Sequence, residues 1–277
     1  MSDGLSGTHD TAETNMGLVE TEAVVLHTHK LAEADKIAVC MTESAGLIRG
    51  VAHGARRLKS RFGAALEPFT LVNLTFFEKE ARELVTIKSA EIIKSYFDAA
   101  RDVEGLAALE YLAELVREFA PPHQPDPKLF RMLRACVDAL AKEPENSRAL
   151  LSYCELWVLK LAGFLPDYRV CAGCGKPLGG AQGGDVHVGP EGVLRCRICR
   201  QAGQAISAEA YRLLSAIRVS GPCVWSRSYF AVSARDQQTV SEMAQRLVRR
   251  VLEREPKSGK LVQAERPTDG PAGLGRA

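Results

Sequence analysis

Three consecutive segments, LIRGVAH (47–53), GARRLKSRFGAAL (54–66) and PFTLVNLTFFE (68–78), decide how this chain begins to fold. The outer two carry β-branched and aromatic residues in short runs, a composition that fits pleated, partly buried strands. The middle one sits between them as an inserted segment. Outward from this point, TEAVVLHT (21–28) and KIAVCMT (36–42) supply two earlier strands, and RELVTIKSAEII (82–93) supplies a fifth. Glu43-Ser-Ala-Gly46 reads as a hairpin turn, and Glu78-Lys-Glu-Ala-Arg82 as another.

Five strands between Val19 and Ile93 predict a small barrel, and an insertion between the third and fourth strands is the layout of an OB-fold. After Asp98 the apolar period becomes helical. Leu106, Leu109, Leu112, Ala113 and Val116 mark one helix, which Pro121-Pro122-His-Gln-Pro125-Asp-Pro127 stops. Leu129, Leu133, Cys136, Val137 and Leu140 mark a second, and Leu150, Leu151, Cys154, Trp157, Val158 and Leu161 a third that ends near Gly163. Helical spacing resumes at Tyr211, Leu214 and Ile217, and again from Val240 to Leu252. The expected fold is therefore α+β and multi-domain: an OB-fold barrel over 18–97, then a helical domain in two parts, 98–170 and 201–255, interrupted by a cysteine module over 171–200. Residues 1–17 are polar and residues 256–277 are rich in Pro and Gly without periodicity, so both read as loose tails.

The interruption contains Cys171-Ala-Gly-Cys174 and Cys196-Arg-Ile-Cys199, two Cys-x-x-Cys units 21 residues apart. That spacing predicts a tetrahedral four-sulfur zinc site in which each unit is a tight turn, with Gly175 suited to positive φ. Arg169, Lys176, Arg195, Arg197 and Arg200 surround the thiols in sequence and favour the thiolate form. Four protein ligands fill the shell, so such a site braces a fold. His187 reads as a solvated loop histidine. Cys40, Cys136 and Cys154 read as small buried hydrophobes.

The formal net charge is only +2 over 277 residues, so the distribution of charge carries the information. Arg49, Arg56, Arg57, Lys59 and Arg61 fall in a stretch with no acid between Glu43 and Glu67. On an OB-type barrel such a cluster is a track for a phosphate backbone; on an ordinary loop it is a solvated basic surface. Phe62, Phe69, Phe76 and Phe77 are either base-stacking platforms or core, and the apolar strand pattern favours core for Phe69 and Phe76. Arg246, Arg249, Arg250 and Arg254 lie opposite the apolar stripe of the last helix and read as a solvated face. His27 and His29 read as a surface strand end, with no third ligand in view. No Gly-x-Ser-x-Gly, His-Glu-x-x-His or phosphate loop is present, and no stretch approaches the length of a membrane helix. The first seventeen residues have neither basic residues nor an apolar core of a secretory signal, so a cytoplasmic setting is expected.

Glu33-Ala-Asp35-Lys36-Ile, Gly46-Leu-Ile-Arg49 and Val51-Ala-His53-Gly-Ala-Arg56-Arg57-Leu-Lys59-Ser-Arg61, followed by Gly163-Phe-Leu-Pro166 leading into Cys171-x-x-Cys174-Gly, resemble the RecO family of bacterial DNA-repair proteins. The resemblance runs in the same order over roughly residues 18 to 255. It implies an OB-fold, a helical domain and a zinc-binding segment. It also implies a non-enzymatic, nucleoid-associated recombination mediator that binds single- and double-stranded DNA and anneals complementary strands. With RecR, such a protein helps load RecA onto strands coated by single-stranded-DNA-binding protein. All four cysteines of the zinc segment are kept, at Cys171, Cys174, Cys196 and Cys199. The extension before Gly17 departs from the usual family start, and Met16 is a second candidate start.

Two other readings stand beside this one. A zinc-ribbon adaptor in transcription or RNA metabolism would read nucleic acid through Arg195, Arg197 and Arg200. A metalloenzyme would need one cysteine unbound and an open metal position.

Overall fold

The computed structural model describes residues 16–79, 83–101, 103–178, 185–189, 191–200 and 203–259. Five strands, β1 (Met16–Lys30), β2 (Lys36–Thr42), β3 (Gly46–Ala52), β4 (Thr70–Lys79) and β5 (Leu84–Ser95), close into a barrel in the order β1-β2-β3-β5-β4. All neighbours are antiparallel except β3 and β5, which pair in parallel through Arg49 to Val51. Closure depends on the long first strand. Its N-terminal part pairs with β4 and its C-terminal part with β2, and a register shift between Val25 and His27 marks the transition. The expected OB-like layout, with an insertion between β3 and β4, is therefore present.

The run Ala23-Val-Val-Leu26 is apolar without alternation because β1 is buried on both faces there. Ala23 and Val25 point into the barrel with Cys40, Ile48, Val72, Leu74, Phe76 and Ile87. Val24 and Leu26, with Val39, Met41, Leu47 and Leu71, join the core of the helical domain. The barrel's outer face is thus continuous with the helices' interior. The turn before β3 completes the join: a Cβ on Gly46, which has φ +70°, would lie 2.0 Å from the Gln124 carbonyl oxygen, so only glycine fits. His123 N–H donates to the Leu47 carbonyl at 3.0 Å, fixing the proline-rich linker to the same edge.

The helices are α1 (Val103–Phe119), α2 (Pro127–Lys142), α3 (Ser147–Leu161), α4 (Ala208–Ala216), α5 (Pro222–Ala231) and α6 (Ala234–Leu252). Helix α3 lies at the centre, with α1, α2, α5 and α6 packed around it. Asp126, Ser207 and Ser233 cap the starts of α2, α4 and α6 through their side-chain oxygens. Helix α5 was not among the helices expected. It is short and interspersed with Ser226, Arg227 and Ser228, and it buries one narrow face through Trp225 and Tyr229.

Three boundaries differ from those expected. Strand β1 starts at Met16, because Met16 and Gly17 pair with Lys79 and Glu78; residues 1–15 lie outside the described residues. The cysteine module extends to a third strand: β6 (Val186–Val188) pairs with both β7 (Leu194–Cys196) and β8 (Gln204–Ile206). The C-terminal tail does not begin at Pro256. Pro256 is buried, and the buried Glu114 carboxylate accepts hydrogen bonds from Lys257 N–H and Ser258 N–H, both at 2.8 Å. Arg254 belongs to the same anchor, 3.6 Å from Glu114 and 2.6 Å from Glu118, so it is ion-paired instead of free on a solvated face. A buried carboxylate needs donors, and this turn supplies them. Residues 80–82 of the second hairpin turn, and residues from 260 onward, lie outside the described residues.

Candidate nucleic-acid interface and metal centre

The segment between β3 and β4 is a succession of tight turns. Arg57 N–H donates to Gly54, Ser60 N–H to Arg57, and Gly63 N–H to Ser60, each to the carbonyl three residues back. Ala55, Phe62, Ala65 and Leu66 turn inward and plug the barrel end. Arg49, Arg56, Arg57, Lys59 and Arg61 are exposed. The aromatic question is thereby decided for three rings: Phe62, Phe69 and Phe76 are buried and present no face for stacking.

Asp35, at the β1–β2 connection, holds the turn. One carboxylate oxygen accepts from Gly54 N–H at 2.8 Å and the other lies 2.8 Å from His53 Nδ1. The Gly54 N–H and the His53 ring together keep the Asp35 carboxyl below its ordinary range. Arg56 is fixed to the same connection, its N–H to the Ala34 carbonyl at 2.9 Å and its guanidinium to the Ala32 carbonyl at 2.6 Å. Lys36 closes the far end through Glu67 at 2.9 Å.

An open pocket of about 540 Å³ results, lined by Asp35, His53, Gly54, Arg57, Lys59, Ser60 and Arg61. The fold thus brings Arg57, Lys59 and Arg61 to one pocket. Arg56 is turned back to Ala32, and Arg49 stands on β3 outside the lining. Among the described residues, none of these five cations forms an ion pair. Their charge is available to an external anion. The roles of Asp35 and His53 were not read from the sequence, although Asp35 is the acid nearest the basic run on its N-terminal side apart from Glu43.

In the cysteine module the four sulfurs of Cys171, Cys174, Cys196 and Cys199 lie within 4.8 Å of one another. Ligands about 2.3 Å from a tetrahedral ion stand about 3.8 Å apart. The Cys174 and Cys196 sulfurs, at 3.9 Å, match that spacing. Each unit is a tight turn, closed by Gly175 N–H to the Cys171 carbonyl at 2.8 Å and Cys199 N–H to the Cys196 carbonyl at 3.1 Å. Gly175 has φ +71°, as its position after the first pair demands. Burial alone would raise the Cys171 thiol, but N–H groups of Cys196, Cys174 and Gly173 converge on its sulfur and hold it at about 6. Hydrogen bonds to Cys174 and Cys196 push the Cys199 thiol up to about 12. The donor set, its spacing and the converging N–H groups fit a thiophilic metal ion, and four sulfurs leave no coordination position open.

His187 differs from the reading as a solvated loop residue. It lies on the central strand of the three-stranded sheet and is buried, with Arg200 3.5 Å from its Nε2. Two of the five cations around the thiols are engaged: Arg169 makes a two-pronged pair with Asp167, and Arg195 lies 3.7 Å from Glu191. Lys176, Arg197 and Arg200 are exposed and form no ion pair among the described residues. Cys40, Cys136 and Cys154 are buried as expected. His27 and His29 stand edge to face at 4.4 Å, and no third metal-binding side chain joins them among the described residues. No described helix is long and apolar enough to cross a membrane.

The sequence matches the family profile described as "Recombination protein O N terminal" over residues 16–96 and that described as "Recombination protein O C terminal" over residues 100–260. Against the DNA repair protein RecO of Koribacter versatilis it is 36% identical over 161 residues, 58% of this chain and 65% of that protein. Against the DNA repair protein RecO of Geobacter metallireducens it is 32% identical over 218 residues, 78% of this chain and 84% of that protein. The DNA repair protein RecO of Bifidobacterium longum is 38% identical over 163 residues, 58% of this chain and 67% of that protein. The chain spans just under two thirds of the length of the Koribacter protein and of an Anaeromyxobacter counterpart, 65% and 64%. One matched profile covers the barrel and the other covers the helices with the cysteine module, so the chain belongs to the Recombination protein O family.

Proposed function

We propose that this chain is a non-enzymatic mediator of recombination in DNA repair that binds single- and double-stranded DNA through the basic turns between β3 and β4. The observation that carries this reading is a set of five exposed cations without carboxylate partners among the described residues, Arg49 on β3 and the other four on the turns that follow it in an OB-like barrel. Annealing brings two polyanions together, and its main obstacle is their mutual repulsion. Arg57, Lys59 and Arg61 around one pocket neutralise phosphates of one strand and lower that obstacle for the second, without transforming either strand. The names carried by the relatives, DNA repair protein RecO, support the same role. By analogy with that family the partners are RecR and strands coated by single-stranded-DNA-binding protein, with RecA as the protein loaded. The setting is the cytoplasm, at the nucleoid. The ion for the four cysteines is one zinc, and its part is to hold the module's two turns together.

The test is strand annealing and single-strand binding over a salt series. Five phosphate contacts on a single strand give a slope of log K against log salt of about −3.5, and four, with Arg56 retained by Ala32, give about −2.8. A folded Arg57→Glu/Lys59→Glu/Arg61→Glu variant should lose both activities and show a shallower slope. Unchanged binding in that variant would move the site away from the barrel.

A further inference from the structure

Between the two central cations of the loop stands a residue whose exposure has no role in phosphate binding. Leu58 is 102% exposed, while the other large apolar side chains of the segment, Phe62 and Leu66, are 3% and 1% exposed. Leu58 lies within the Arg57–Ser60 turn, between the buried Ala55 and Phe62, on a segment whose start is fixed to Asp35 and Ala32. The fold therefore presents an exposed apolar tip flanked by Arg57 and Lys59.

We propose that Leu58 contacts the face of an unstacked nucleobase when single-stranded DNA lies on the basic turns, so that this one residue favours single strands over duplex. The inference rests on the DNA-binding reading above and deepens it. A phosphate backbone satisfies Arg57, Lys59 and Arg61 equally well whether it belongs to one strand or two, and those contacts carry no discrimination. An apolar side chain gains only where it meets apolar surface. In a duplex the base faces are covered by stacking; in a single strand they are open, and every base has one. Charge complementarity brings the strand to the tip, and the tip then meets what only the single strand exposes.

The experiment measures fluorescence anisotropy of wild type, Leu58→Asn and Leu58→Phe with an oligothymidylate, an abasic strand carrying the same number of phosphates, and a duplex. Leu58→Asn should weaken oligothymidylate binding by about three- to tenfold, with the salt slope unchanged and with abasic-strand and duplex binding unaltered. Leu58→Phe should bind the oligothymidylate at least as tightly as wild type. Wild-type affinity of Leu58→Asn for the oligothymidylate would overturn the proposal, as would an equal loss on the abasic strand. A drop in thermal midpoint for Leu58→Asn would also overturn it, since Leu58 would then be packing in the fold. The Arg57→Glu/Lys59→Glu/Arg61→Glu variant separates the two levels. If that variant loses binding while Leu58→Asn does not, only the base contact fails; if neither changes, the barrel interface itself fails and the base contact with it.

Discussion

The barrel turns at 53–69 and the cysteine module at 169–206 are built from the same materials, tight turns with basic residues, and they use them in opposite ways. In the barrel the turn is fixed by one carboxylate, Asp35, and by buried Phe62 and Leu66, which leaves the cations outside and without ion pairs among the described residues. In the module the turns point their thiols inward, and Arg169 and Arg195 are spent on Asp167 and Glu191. A count of basic residues makes the two segments look alike. Counterion release, however, depends on charge that an incoming phosphate can reach, and an exposed arginine already paired with a carboxylate contributes less of it. On the reading proposed above, the module holds structure and the barrel holds DNA.

The sharpest way to break that assignment is to remove a thiol. Cys174→Ser should lower the thermal midpoint strongly and abolish stoichiometric zinc, since a four-sulfur site supplies on the order of 10 kcal/mol of metal-linked free energy in isolated zinc modules. Single-strand affinity measured well below the new midpoint should change little. Chelator titration followed by calorimetry and anisotropy reads both quantities. A variant with wild-type stability, or one that loses DNA binding while still folded, would exchange the roles of the two regions.

Charge reversal on the barrel is expected to have the converse signature. Arg57→Glu/Lys59→Glu/Arg61→Glu should weaken single-strand binding by about two to three orders of magnitude at low salt. Its thermal midpoint should hold, because the three side chains are exposed and without ion pairs among the described residues.

How much of this contrast was legible beforehand follows from the range of the signals involved. The strands were readable because each lies in a short apolar run, and the thiols because two Cys-x-x-Cys units impose their own geometry. Helix α5 escaped because Trp225 and Tyr229 mark only one turn of it, and its burial is decided by α3 and α6 packed against it. His187 looked like a loop residue because three-residue strands such as β6 carry almost no periodicity. The link from Asp35 to Gly54 crosses 19 positions, and Glu114 reaches Lys257 across 143. Such pairings arise only once the chain is folded, so no local pattern announces them. The same holds for which arginines are paired, the feature on which the whole comparison turns.

Asp35 permits a finer cut, because it acts on the barrel turns without offering a positive charge. Asp35→Asn should weaken single-strand binding by only a few-fold and speed amide exchange at Gly54 and Arg57, with the salt slope retained. Its titration gives the sign of a pH effect. The Gly54 N–H and His53 hold the folded carboxyl below the ordinary 3.8. The ionised form is therefore the one that fixes the turn; its contribution is whole at neutral pH and is lost as pH falls through the acid range below that value. Hydrogen exchange at Gly54 should accelerate, relative to residues of the barrel core, on acidification in wild type and be insensitive to pH in Asp35→Asn. An equal pH response in both would show that another group holds the turn.

The smallest effect expected is also the most exacting test of the comparison, because it concerns two of the three module cations, Lys176 being the third, that form no ion pair among the described residues. Arg197 and Arg200 are exposed beside the second Cys-x-x-Cys turn, and Arg200 lies 3.5 Å from the buried His187. A zinc-ribbon adaptor would read nucleic acid here. Two phosphate contacts account for at most about 1.4 of the salt slope, and if the barrel carries the DNA they account for almost none. Arg197→Glu/Arg200→Glu should therefore bind single strands within about twofold of wild type, with the same slope. A loss comparable to that of the barrel variant, at unchanged zinc content, would mean that the cysteine turns present a second phosphate track, and that pairing among the neighbouring arginines serves to isolate these two for it.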